Sequence, residues 1–130
     1  LLAMFHDTPE IITGDLPTPV KYYNNDIINA YNEIEQHAVD SLLKLLPEDL
    51  RSEYEPLFDC KDEKLKLIVR AADKISALIK CKDEIMLGNS EFSVAERSTL
   101  ETVKKLGLPA ADEFLDIFLE SFSLPLDEQK

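Results

Sequence analysis

Tryptophan is absent from the 130 residues, glycine occurs three times, and cysteine, histidine and methionine occur twice each. Cys60 and Cys81 are far apart with no C-x-x-C, which excludes a disulfide framework and a zinc knuckle and points to reduced thiols in a cytoplasmic protein. Basic side chains are scarce too: 14 Lys and Arg stand against 26 Asp and Glu, for a formal charge of -12. Such a surface repels a phosphodiester backbone, so a nucleic-acid polymer is disfavoured as a partner. No apolar run approaches the roughly 18 residues that suggest a membrane span, and Leu1 to Phe5 lacks the basic flank of a signal peptide. The expectation is a soluble protein with no membrane partner. That apolar start reads as the end of a helix, which implies a fragment of a longer polypeptide.

What is present is a single domain's worth of helix. Hydrophobic residues make up 45% and charged residues 31%, enough for a packed core under a solvated surface. No segment alternates apolar and polar residues with β-branched enrichment, so strands are not expected. Apolar positions recur instead at intervals of three and four. Ile27, Tyr31, Ile34, Ala38, Leu42 and Leu46 share one face over Asp26 to Leu46, and Pro47 ends that helix and opens Glu48 to Leu57. Asp62 to Leu87 carries one stripe through Leu65, Ile68, Val69, Ala72, Ile75, Ile79 and Met86, and a second through Leu67, Leu78 and Ile85. Packing on two sides is therefore expected for it. Ser93 to Leu106 and Ala110 to Phe122 complete an all-α domain of about five to six helices. Gly88 and Gly107 follow two of these stretches, where helix C-caps are wanted. The end, Leu126 to Lys130, reads as polar and frayed. The one long irregular stretch is Thr13 to Asn25, and loops of that length are often functional.

Chemistry has two candidate locations. His6 and Asp7 precede Thr8-Pro9, which should break a helix and let both side chains turn toward one ion. Imidazole with carboxylate suits Mn, Co, Fe, Zn or Mg, while capping and helix-end roles explain the same residues without a metal. Glu10 and Asp15 follow closely with Thr13 and Gly14 between, so three carboxylates cluster after one imidazole; a carboxylate there can move protons and another can orient a ligand hydroxyl. Taken singly, Glu10 is also an ordinary first-turn acid and Asp15 a turn residue. Asp73 borders the main stripe of its helix, where a carboxylate needs a partner: a metal, or Arg70 or Lys80 in a salt bridge. Asp83 faces the same stripe as a rival. His37 reads as solvated, and Glu48, Asp49, Glu53 and Glu55 as a wet face. Tyr22 and Tyr23 read as core lids, with stacking on a base as the less favoured alternative.

His6-Asp7, Glu10 and the string from Thr13 to Tyr22, together with Ala72-Asp73, Lys80-Cys81, Gly88 to Phe92 and Ser121 to Glu128, resemble the HD-domain phosphohydrolases. Within them the resemblance is to the bacterial YfbR-type 5'-deoxynucleotidases, and it runs from Leu1 to about Glu128. It implies one HD domain over 1–130, an all-α helical bundle with one divalent metal. The implied activity is release of the 5'-phosphate from deoxyribonucleoside 5'-monophosphates, usually by a homodimer. By this match His6, Asp7 and Asp73 would be metal ligands, and Asp7 and Asp73 would also meet the substrate. Glu10 and Asp15 would be catalytic, with Glu10 as acid/base, and Asp15, Leu16, Pro17 and Thr18 would form the wall that meets the sugar. The family's first metal-binding histidine and its phosphate-orienting Arg-Trp pair lie upstream of Leu1. The expectation is therefore a domain lacking its N-terminal helices, which as a fragment can be inactive. A catalytically degenerate domain that senses a nucleotide or holds a protein is the alternative.

Overall fold

A computed structural model describes residues 1–128 and leaves Gln129 and Lys130 undescribed. Among the described residues there is no strand, and the fold is all-α. The chain forms two compact units, 1–63 and 64–130. No helix is long and apolar enough to cross a membrane.

The first unit holds α1 (Leu2–Phe5), α2 (Glu10–Thr13), α3 (Thr18–Lys21), α4 (Asn25–Leu45) and α5 (Glu48–Phe58). Its long member, α4, starts where the Asn24 side chain accepts a hydrogen bond from the Ile27 N–H at 2.9 Å. It stops at Leu46, which is extended because Pro47 follows. Tyr31, Ala38 and Val39 are its buried residues. Ile34, expected on the inner face, is 52% exposed. Short α1 is held by its aromatic end: the Phe5 ring meets Tyr54 and Phe58 of α5 edge-on, at 5.6 and 5.7 Å. The stretch from Thr13 to Asn25 is not wholly irregular. Pro19, set in the first turn with φ already helical, lets four residues close as α3.

The second unit is built from α6 (Glu63–Met86), α7 (Ser93–Lys105) and α8 (Pro109–Phe118). Ala71, Ile75 and Leu78 of α6 pack on Val103 of α7 and on Ala111 and Leu115 of α8. The buried stripe of α6 thus runs between the two apolar strips, taking Ile75 from the first and Leu78 from the second, and Leu65, Ile68 and Met86 of the first are 47%, 42% and 53% exposed. Small Ala71 and Ala111 allow the helices to approach on that side. Ile68, Ala72 and Ser76, with Leu108 and Phe114, line an open apolar groove of about 390 Å³. Gly88 and Gly107 have positive φ just after α6 and α7, as expected of caps. The last long helix is shorter than its periodicity suggests. It tightens to a 3-10 turn over Leu119–Ser123, leaving Ile117 and Phe118 57% and 45% exposed. Leu126–Glu128, within the stretch read as frayed, forms a further 3-10 turn, and the rest of that expectation, on Gln129 and Lys130, lies outside the described residues.

Candidate functional site

His6 is the C-terminal cap of α1, at the break expected before Pro9. Its Nδ1 lies 2.8 Å from the Ala3 carbonyl oxygen. A carbonyl only accepts, so Nδ1 carries a proton and donates. Nε2 then stands 3.1 Å from the Asp7 Oδ2. The imidazole nitrogen and the carboxylate thus face one another, as two donors toward one shared ion would. The pair therefore fits a divalent ion as two of its ligands. Within each unit, among the described residues, no three His, Cys, Asp or Glu side chains converge into a larger donor set.

Glu10 opens α2 one turn later and is half-buried. Its pKa is raised above the ordinary carboxylate value, first by burial and then by the charges of Asp7 and Asp15, with Lys21 opposing. The three carboxylates thus share one electrostatic neighbourhood, as their spacing suggests. A carboxyl that keeps its proton to a higher pH than usual is better suited to giving and taking one than an ordinary exposed carboxylate. Asp15 is exposed, Leu16 is half-buried, and Pro17 and Thr18 are exposed, so this segment presents a surface to solvent.

Gly14 shapes that surface. Its φ of 71° and ψ of 163° lie in a region essentially reserved for glycine. The conformation aims its carbonyl at two donors: Thr13 Oγ1 at 2.9 Å and the Tyr31 hydroxyl at 3.2 Å. Further on, Lys21 Nζ donates to Glu35 Oε1 at 3.0 Å and lies 4.3 Å from the centre of the Tyr31 ring. Burial pushes the Lys21 ammonium down, but the hydrogen bond and charge of Glu35 more than offset it and leave its pKa raised. Lys21 and Glu35 have no role in the sequence reading, and Tyr31 has only a core position there. The available signal was that Tyr31 and Glu35 lie four apart on a helix, hence on one face.

Asp73 lies in the second unit, on α6, with its side chain 45% exposed. The place at the edge of the core and, of the partners weighed for it, the salt bridge to Arg70 or Lys80 are corrected: the side chain is on the exposed side and Lys74 Nζ pairs with it at 3.2 Å. With Ala71 and Ile75 facing inward, successive rotations of about 100° carry residue 73 to the opposite side. Asp83 is exposed as well. Tyr22 and Tyr23 are 63% and 76% exposed, so neither is a core lid; Tyr31, at 4%, is the buried tyrosine of this unit. His37 and the acidic residues Glu48, Asp49, Glu53 and Glu55 are exposed, as expected.

A family model described as 5'-deoxynucleotidase YfbR-like matches residues 1–122. A 5'-deoxynucleotidase of Photobacterium profundum is 45% identical over 98% of this chain and 67% of its own length. One of Vibrio atlanticus is likewise 45% identical with the same coverage. The 5'-deoxynucleotidase YfbR of Escherichia coli is 42% identical, over 98% of this chain and 65% of its own. The chain thus spans about two thirds of the length of the curated relatives it matches.

Proposed function

Because the chain belongs to the YfbR-like 5'-deoxynucleotidase family, and with it to the phosphohydrolases, we propose that it carries the acid/base and sugar-facing part of a metal-dependent phosphomonoesterase. Its substrates would be deoxyribonucleoside 5'-monophosphates, and its products a deoxynucleoside and inorganic phosphate. The observation that carries this reading is the His6–Asp7 contact, with Nδ1 of His6 committed to a backbone carbonyl and Nε2 facing a carboxylate. His6 and Asp7 would hold a divalent ion, and the resemblance assigns Asp73 as the third ligand, with Asp7 and Asp73 also meeting substrate. When bound, such an ion supplies Lewis acidity toward water and a phosphoryl oxygen. Mn, Co, Mg, Zn and Fe all suit these donors. Glu10, with its raised pKa, would move the proton of the attacking water or the leaving oxygen. Asp15 would accept a hydrogen bond from a sugar hydroxyl, and Leu16, Pro17 and Thr18 would form the wall that crowds a 2'-hydroxyl. One HD domain over 1–130, a homodimer and a cytoplasmic location complete the reading; the free thiols of Cys60 and Cys81 suit a reducing compartment.

The test is phosphate release from deoxynucleoside monophosphates by the full protein, stripped with a chelator and reloaded with Mn or Co. Asp7→Ala and Asp73→Ala should each lower metal-dependent turnover by about a hundredfold. Turnover indifferent to chelator or to both substitutions would remove the proposal. Calorimetric nucleotide binding without turnover would favour the sensing alternative instead.

A further inference from the structure

The segment from Gly14 to Thr18 contains the residues that the proposed function turns toward the sugar, yet little of its own backbone holds it. It is flanked by α2 and α3, four residues each, and helices that short do not persist without outside contacts. Both flanks are tied to one face of α4. At the near end, the Tyr31 hydroxyl donates to the Gly14 carbonyl at 3.2 Å and lies 3.3 Å from Thr13 Oγ1. At the far end, Lys21 donates to Glu35 at 3.0 Å and covers the Tyr31 ring. Tyr31 is 4% exposed, and the Lys21 and Glu35 side chains are 26% and 31% exposed, so the contacts are shielded from competing water.

We propose that Tyr31, Lys21 and Glu35 form a clamp that fixes both ends of the Gly14–Lys21 segment and thereby positions Asp15 and Thr18 against the nucleoside. They are positioning residues: the clamp acts through the segment and does not meet the reacting phosphate. The inference rests on the reading that Asp15 to Thr18 meet the sugar. The geometry gives each member its own part. The Tyr31 ring is the platform for the Lys21 ammonium, while its hydroxyl reaches the glycine carbonyl. Glu35, one helical turn on, keeps the ammonium over the ring.

The experiment uses the full protein with Tyr31→Phe, Lys21→Met and Lys21→Arg. Each keeps the bulk of the replaced side chain, so folding is not at stake. Amide hydrogen exchange is followed at Gly14, Val20 and Lys21, whose N–H groups bond to Glu10 and Pro17 carbonyls. In Tyr31→Phe and Lys21→Met, exchange at these amides should quicken roughly fivefold, the factor expected for loss of one hydrogen bond. KM for a deoxynucleoside monophosphate should rise by about the same factor. The kcat for phenyl phosphate, which has no sugar to position, should stay within about twofold. Lys21→Arg, which keeps the charge over the ring, should restore both readouts. Unchanged exchange, or equal losses on both substrates, would overturn the clamp. A wild-type protein that turns over no deoxynucleotide would sink the proposed function, and exchange alone would then decide the clamp: quickened exchange upholds it, unchanged exchange overturns it.

Discussion

Glu10 holds its proton to a higher pH in the folded chain than the ordinary value of 4.5, because burial and the neighbouring Asp7 and Asp15 disfavour its charge. Between those two values the folded state binds more protons than the unfolded one. The stability this group contributes is therefore fully present below 4.5 and is lost as pH rises through the raised value. Glu10→Gln removes the charge while keeping the shape. In chelator, its melting temperature should exceed that of the wild type at about pH 7.5 and equal it at about pH 4. The same variant should lose about a hundredfold or more in turnover if Glu10 moves the proton. Thermal melts at the two pH values check the first expectation, and a variant less stable than the wild type at both would show that the carboxylate is held by favourable contacts instead. The residue scale is also where legibility was most uneven. His6 and Asp7 are adjacent and precede a proline, so their placement at a helix break is readable from four letters. The Lys21–Glu35 bond joins α3 to α4, and no periodicity connects residues of different helices.

The long helices α4, α6, α7 and α8 are legible because each turns apolar residues inward, and an inward face leaves a repeat of three and four. The same rule fails for α2 and α3, which are too short to show a repeat and exist through proline geometry and contacts with α4. It also leaves α6 ambiguous, since two apolar strips satisfy it and only the partners on α7 and α8 select the inner face, which takes Ile75 from one and Leu78 from the other. That selection has a measurable consequence. Leu78 is fully buried and Ile68 is 42% exposed. Leu78→Ala should cost about 3 kcal/mol, from lost burial and the cavity left behind, whereas Ile68→Ala should cost under about 1 kcal/mol. Urea denaturation of the two variants, compared at equal slope, decides the matter. If Ile68→Ala proved the more costly, the stripe through Leu65, Ile68 and Ala72 would be the inner one, and Asp73 would return to the edge of the core. Its placement on the outside of α6 thus hangs on the rotation of the helix.

Across the 130 residues, 14 basic and 26 acidic side chains leave a charge of -12, and that field acts with opposite sign on the two species the proposed reaction needs. It draws a divalent cation in and pushes a phosphate dianion away. Near the carboxylates of the first unit, Lys21 is the cation that Glu10 senses, and its ammonium is already bonded to Glu35. Salt should therefore separate the two steps. Going from about 0.01 M to about 0.15 M ionic strength shortens the screening length from about 30 Å to about 8 Å. The apparent dissociation constant for Mn or Co should weaken by about threefold or more over that range. At saturating metal, kcat/KM for a deoxynucleoside monophosphate should rise by about twofold to threefold, because repulsion of the dianion is screened while the local chemistry is untouched. Calorimetric metal titrations and initial rates at the two ionic strengths give both slopes. A fall in kcat/KM with salt at saturating metal would mean that the nucleotide approaches through a locally cationic field, and the acidic balance of the whole would not govern its capture.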